Sequence, residues 1–179
     1  MQFAAEFRWE PLTILFALAS AWWVKWPLFA VVGACGDLRC RRRLPFAALT
    51  ALGAVAVVGL VVTLLKGVSD RARPPHADPT LQSVGAVPDS TSFPSGHSAT
   101  AFAAAIVVGF AYPRLRLPLL ALAALVALSR VYLGMHFWSD VLAGTLLGVA
   151  IGLATVWLSR LARRAPRAPV PSLAPPGTN

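Results

Sequence analysis

Apolar residues along this chain come in runs long enough to cross a bilayer, with charge confined to short clusters between them. A helix rises about 1.5 Å per residue and the hydrocarbon core is about 30 Å thick, so about 20 apolar residues make one crossing. Leu44 to Leu65 and Val141 to Ser159 each pass without a charge, and Phe93 to Tyr112 and Leu115 to Gly134 cross if a polar residue near one end is tolerated. Lys25 and Pro27 interrupt the stretch from Pro11 to Gly36, and its Trp22, Trp23 and Trp26 suit interfacial anchors. That stretch reads either as one tilted span or as an interfacial helix followed by a short one. The pattern predicts an all-α fold: a polytopic transmembrane helix bundle of five to six membrane segments. Residues 1–43 form an N-terminal interfacial or first membrane segment, residues 44–159 a helical core, and residues 160–179 a disordered tail, rich in Pro and Ala after Ala165.

Composition fits a membrane protein: 57% of the 179 residues are hydrophobic and only 13% charged. The net charge of +9 does not indicate nucleic acid, because no soluble face displays it. Its distribution sets orientation instead. Arg39, Arg41, Arg42 and Arg43 precede the second span, Arg114 and Arg116 separate the third from the fourth, and Arg160, Arg163, Arg164 and Arg167 follow the last. With alternating spans these clusters share one face, expected to be cytoplasmic together with the C-terminal tail. Cys35 and Cys40 form no CxxC and read as reduced, unligated thiols. Arg8, an apolar run and Ala19-Ser20-Ala21 imitate a signal peptide, but Glu6 and Glu10 spoil its basic start, so an uncleaved N-terminus is expected.

The remaining polar groups fall on the opposite face. Counting back from the arginine clusters places His97, Arg130 and Asp140 roughly 20 to 30 Å away along their helices, at similar depth. Three stretches stand out. In KGVSDRARP, Lys66 and Arg73 offer a point charge and a planar fork suited to phosphate oxygens, with Arg71 as an extra cation; alone, they equally read as cations snorkelling at a helix end. In SFPSGHSAT, Pro94, Ser95 and Gly96 open a helix whose unpaired N–H groups suit an anion, with His97 beside it for proton transfer; alone, it reads as an ordinary capped helix start. In SRVYLGMHFWSD, His136 and Asp140 are four apart, so on a helix or helical turn the carboxylate can hold one ring nitrogen and leave the other as a directed lone pair. Arg130, just inside a span end, calls for an anionic ligand or for a structural pair with Asp140. Two histidines, one carboxylate and several cations suit phosphoryl transfer and repel a divalent metal, so neither metal nor other cofactor is expected.

Lys66-x6-Arg73-Pro74, then Pro94-Ser95-Gly96-His97, then Ser129-Arg130-x5-His136-x3-Asp140, resembles the three-part signature of the type 2 phosphatidic acid phosphatase (PAP2) superfamily in order, spacing and membrane context. The resemblance covers about residues 44 to 159. It implies a metal-independent lipid phosphatase in which Lys66, Arg73, Arg130 and the Ser95–Gly96 region bind phosphate. It further implies that His136 attacks phosphorus to give a phosphohistidine, Asp140 orients His136, and His97 serves as acid and then base.

The substrate expected is a membrane lipid phosphate entering sideways at the extracytoplasmic face of the cell membrane. Undecaprenyl diphosphate is favoured, with phosphatidylglycerophosphate, phosphatidic acid and phosphorylated sugar lipids on polyprenol as alternatives. A vanadate haloperoxidase would share the site, but those enzymes are soluble; a non-catalytic lipid-binding protein would be expected to lose part of the reactive set. His76 and the acidic residues Asp70, Asp78 and Asp89 read as a solvated loop, and Trp138 as an interfacial anchor. Gly144, Gly148 and Gly152 mark close helix packing, within one chain or between copies in a homo-oligomer.

Overall fold

A computed structural model of the chain describes residues 9–39 and 46–164. Cys40, Arg41, Arg42, Arg43, Arg167, the tail after Ala165 and the side chains of Trp22, Trp23, Lys25 and Trp26 lie outside it. The described residues are helical or irregular, with no strand: α1 (Glu10–Ser20), α2 (Trp22–Arg39), α3 (Phe46–Gly67), the single turn α4 (Pro74–Ala77), α5 (Gly96–Ala111), α6 (Arg116–Tyr132) and α7 (Trp138–Arg164).

Among the described residues, three helical stretches are long and apolar enough to cross a membrane: Phe46–Gly67, Pro113–Tyr132 and Trp138–Arg163. They correspond to three of the four spans that the apolar runs predict, α7 running past both of its expected ends. The fourth, expected from Phe93, begins only at Gly96 as a helix of 16 residues, about 24 Å long. Pro94 follows a cis peptide bond and Ser95 is an extended N-cap, so the chain becomes helical after them. The N-terminal region is two helices, yet the break falls at Ala21, whose backbone is extended, and α2 runs on through Lys25 and Pro27. With Lys25, Asp37 and Arg39, α2 is not one of the three long spans.

Helix α5 is the axis of the bundle and packs against α3, α6 and α7. An apolar helix surrounded by protein needs small residues where neighbours approach. Accordingly Ala99, Ala101, Ala103, Ala104 and Ala105 are almost wholly buried, and with Val108, Leu119, Ala123, Val126 and Val156 they supply most of the interior. The outward faces of α3 and α7 keep large apolar groups exposed, among them Leu49, Leu60, Leu64, Leu142, Leu146 and Trp157, as lipid-facing helices do. Trp138, at the first residue of α7, is half exposed.

The glycine spacing of α7 is used inside the chain. A Cβ on Gly144 would collide with the carbonyl oxygen of Ser95, and one on Gly148 with that of Ala99, whereas a Cβ on Gly152 would come within 3.0 Å of the Ile106 side chain. Backbone cannot yield as a side chain can. Gly148→Ala is therefore expected to cost about 1–3 kcal/mol or more, Gly152→Ala less. Gly53→Ala, where a Cβ meets nothing within 4 Å, should be neutral or slightly stabilising. Thermal unfolding in detergent should rank the three in that order, and equal losses would contradict the packing described.

Candidate active site

The candidate residues gather at one end of the bundle, where α3 and α6 end and α5 and α7 begin. Gly134 makes the reversal after α6. Its φ of +70° favours glycine, and a Cβ there would press on the carbonyl of Gln82. The turn brings the Met135 and His136 N–H groups onto the carbonyl of Arg130, at 3.0 and 3.2 Å. His136 thus precedes α7 and Asp140 lies in its first turn, where Oδ2 accepts the Phe137 N–H at 2.9 Å, half of a capping box.

Asp140 has no exposed surface. Its Oδ2 also accepts from Ser92 Oγ at 2.5 Å and lies 3.6 Å from His136 Nδ1, while Oδ1 accepts from Arg71 at 2.8 Å. The structural pairing with Arg130 considered above is therefore made by Arg71 instead. Arg71 also bonds Ser139 at 2.6 Å and stacks on Phe137. A separation of 3.6 Å is long for a hydrogen bond, so Asp140 acts on the ring mainly as a charge, with Ser92 Oγ 3.4 Å from the same nitrogen.

The other ring nitrogen, Nε2, lies 3.4 Å from Nη1 of Arg73, a group that can only donate. Nε2 accordingly presents its lone pair, and Nδ1 carries the proton toward Ser92 and Asp140. His136 is buried, and that burial is the main reason its pKa is pushed down to about 4; Asp140 opposes the shift and the charges of Arg73 and Arg130 add to it. The imidazole is neutral at pH 7.

The cations are held by backbone. Arg73 donates to the carbonyl of Ser90 at 2.9 Å, to Ser90 Oγ at 3.0 Å and to the carbonyl of Met135 at 2.9 Å. Lys66 donates to the carbonyl of Thr91, whose hydroxyl returns a bond of 3.1 Å to the carbonyl of Lys66, and the Ser92 N–H reaches the carbonyl of Arg71 at 2.8 Å. Lys66 and Arg130 both lie within electrostatic reach of Arg73. Arg130 is buried and its Nε has no hydrogen-bond partner. Such an orphan costs roughly 1–3 kcal/mol unless a ligand satisfies it.

Ser95 is fully buried and its hydroxyl caps α5, accepting from Ser98 N at 3.5 Å and Ser98 Oγ at 3.0 Å. Its hydroxyl is thus engaged, and backbone N–H groups are what this turn has to offer an anion. Its own N–H bonds the carbonyl of Asp140 at 3.0 Å, which seats the first turn of α5, with Gly96 and the half-buried His97, against the first turn of α7. Ser90, Thr91 and Ser92 were not anticipated as site residues, nor was Arg71 as the carboxylate's partner; the one available signal was the run of hydroxyls just before Phe93-Pro94. His76, Asp70, Asp78 and Asp89 are exposed, as expected of a solvated loop.

A buried neutral imidazole with a carboxylate behind it and cations in front is an arrangement suited to phosphoryl transfer, set in a helical membrane bundle. The sequence model of the PAP2 superfamily matches residues 47–164, and the chain belongs to that family; it is a membrane lipid phosphatase of the PAP2 type. It is 36% identical over 129 residues to a decaprenylphosphoryl-5-phosphoribose phosphatase of Mycobacterium tuberculosis, spanning 72% of this chain and 68% of that one. It is 37% identical over 105 residues to a lipid A 1-phosphatase of Rhizobium johnstonii, spanning 56% of this chain and 43% of that one. Among solved structures it is similar to a transmembrane PAP2-type phosphatidylglycerolphosphate phosphatase from Bacillus subtilis, with TM-score 0.74, 26% identity, and coverage of 91% of this chain and 84% of that one. The fold is also that of LpxE from Aquifex aeolicus, with TM-score 0.71, 24% identity, and coverage of 85% of this chain and 89% of that one.

A histidine depressed to about 4 stays neutral until the pH falls through that value, whereas an unperturbed one titrates near 6.5. In NMR spectra of histidine-labelled protein in detergent, the resonance missing from His136→Gln should show no titration between pH 8 and 5.5. A midpoint near 6.5 would mean that the ring is solvated.

Proposed function

We propose that this phosphatase removes a terminal phosphate from a polyprenyl-linked headgroup, through a phosphohistidine on His136. The observation that carries the chemistry is the neutral Nε2 lone pair of His136 facing an arginine nitrogen at 3.4 Å. A phosphoryl group approaching Nε2 would take over that contact, with Arg73 donating to its non-bridging oxygens as charge stabiliser. Lys66, Arg73 and Arg130 hold the non-bridging oxygens, with the N–H groups that open α5 adding donors, and the orphaned Nε of Arg130 gains its partner. Nε2 forms a bond to phosphorus as the bond to the leaving oxygen breaks, and His97 protonates that oxygen. His97 then takes a proton from water, which attacks the phosphohistidine, releases inorganic phosphate and restores His136. Asp140, fixed by Ser92, Arg71 and the Phe137 N–H, keeps the ring in the required tautomer. One carboxylate among several cations is a poor donor set for a divalent metal, and the arginines and lysine supply the charge a metal would otherwise provide.

The polyprenyl preference is supported by the similarity to the decaprenylphosphoryl-5-phosphoribose phosphatase, which covers the chain more fully than the lipid A phosphatase does. Undecaprenyl diphosphate and a phosphorylated sugar on a polyprenyl phosphate are the two forms to compare. Phosphatidylglycerophosphate is the second reading, favoured by the structural likeness to the Bacillus subtilis enzyme. Arg39, Arg116, Arg160 and Arg163 lie toward the other end of the bundle, which by the distribution of positive charge is cytoplasmic. The site then opens at the extracytoplasmic face of the cell membrane and the C-terminal tail is cytoplasmic.

Phosphate release from these lipids and from phosphatidate, by detergent-purified protein in EDTA, tests the reading. A polyprenyl substrate should be turned over fastest, unaffected by EDTA and inhibited by millimolar vanadate. His136→Ala should lower turnover by on the order of 10³-fold or more. Loss of activity in EDTA, or survival of activity in His136→Ala, would remove the phosphohistidine. Faster turnover of phosphatidylglycerophosphate would remove the polyprenyl assignment alone.

A further inference from the structure

At the end of the bundle opposite the active site, α3, α5 and α7 enclose a cavity of about 180 Å³ lined by Phe46 and Thr50, by Phe110, and by Ser159, Arg160 and Arg163 together with smaller apolar groups. A single water needs only about 10–15 Å³, so the space accepts a group of several heavy atoms. Arg163 stacks on Phe46 with its guanidinium carbon 3.9 Å from the ring centre, and Arg160 lies 5.3 Å from the centre of Phe110. Arg116, from the start of α6, stacks on the same Phe110 at 4.4 Å, and its Nε is buried without a hydrogen-bond partner.

Among the described residues none of these three arginines forms an ion pair. The carboxylate nearest this end of α3, Asp37, is already engaged: it accepts from the N–H groups of Ala47 and Ala48 and from the Tyr112 hydroxyl. Thr50 and Ser159 donate their hydroxyl protons to backbone carbonyls of their own helices. The donors this cavity has left to offer are therefore guanidinium groups, and what they match is a multidentate anion.

We propose that this cavity binds a phosphate group, and that its source is the phosphodiester headgroup of an anionic lipid from the leaflet at that end. Charge that only sets orientation needs neither a cavity nor guanidinium planes fixed on aromatic rings. A lipid phosphate seated between Arg160 and Arg163 would give Arg116 a counter-charge, while its acyl chains ran down the exposed Leu49, Leu52, Leu153 and Trp157 of α3 and α7. Free inorganic phosphate has the same recognition chemistry and is the other source to test. The inference does not depend on the substrate or mechanism assigned above, since that site lies at the far end of the helices.

Thermal unfolding of the full chain, purified and stripped of lipid in dodecyl maltoside, is the measurement. It would be made with added phosphatidylglycerol, with phosphatidylcholine and with inorganic phosphate. Phosphatidylglycerol should raise Tm and phosphatidylcholine should not. The rise should be lost in Arg160→Gln/Arg163→Gln, and lost also in Thr50→Phe, which fills the cavity but keeps the arginines. Both variants should keep wild-type phosphatase activity, which reports that they fold. A rise with inorganic phosphate alone, lost in the same variants, would assign the phosphate site to a free anion. An equal rise with phosphatidylcholine, or a rise that survives in both variants, would overturn the proposal.

Discussion

A carboxylate with no exposed surface, Asp140, holds this end of the molecule together. An ionised group taken out of water is costly unless its lone pairs are satisfied, and each group that satisfies Asp140 comes from a different segment. Arg71 arrives from the chain after α3, Ser92 from the long loop, Phe137 from the turn before α7, and His136 stands beside it. Its own carbonyl accepts the N–H of Ser95 and so aligns α5 with α7. Three pieces of backbone, the chain after α3, the loop into α5 and the turn into α7, thus have one relative position because they meet at this residue. The imidazole of His136 inherits its direction from that requirement.

The same end carries cations in excess. Lys66, Arg73 and Arg130 are not neutralised by Asp140, whose nearest cationic partner is Arg71. The protein holds them with carbonyl dipoles, from Ser90, Thr91 and Met135, which orient a cation without cancelling its charge. The resulting positive field helps keep His136 unprotonated, so one arrangement both favours an anion and leaves the Nε2 lone pair available. A second carboxylate would stabilise the resting bundle and weaken both effects.

Sequence patterning showed the spans of α3, α6 and α7, because uninterrupted apolar runs of that length have few other destinations. It singled out His97, Arg130, His136 and Asp140 as well, since histidine, aspartate and arginine inside such runs need a reason to be there, and the fold gathers them at one end of the bundle. What it missed was relational. The break at Ala21 carries no proline or glycine, whereas Pro27, which does look like a breaker, lies within a helix. Arg130 stood nearest in sequence as a structural partner for Asp140, whereas the partner is Arg71, from the chain after α3. Ser90 to Ser92 look like any polar loop until Lys66, Arg71 and Arg73 are placed beneath them. The glycines of α7 announced close packing but not its partner, which is the backbone of α5.

The shortness of α5 links these features. At about 24 Å it is shorter than α3 and α7, whose 22 and 27 residues reach about 33 and 40 Å. Gly144, well inside α7, already lies against Ser95. The first turn of α5 is thus recessed between its neighbours, and the chain from Ser90 to Ser95 descends to it without helical hydrogen bonds. Irregular backbone near membrane depth is tolerated only where other groups satisfy it. Lys66 and Arg73 do so for the carbonyls of Thr91 and Ser90, and Arg71 and Asp140 for the N–H groups of Ser92 and Ser95. The cations proposed to bind phosphate therefore also hold the recess open, which couples the folding of this loop to their placement. A longer α5 would dispense with those bonds and would fill the recess in front of His136.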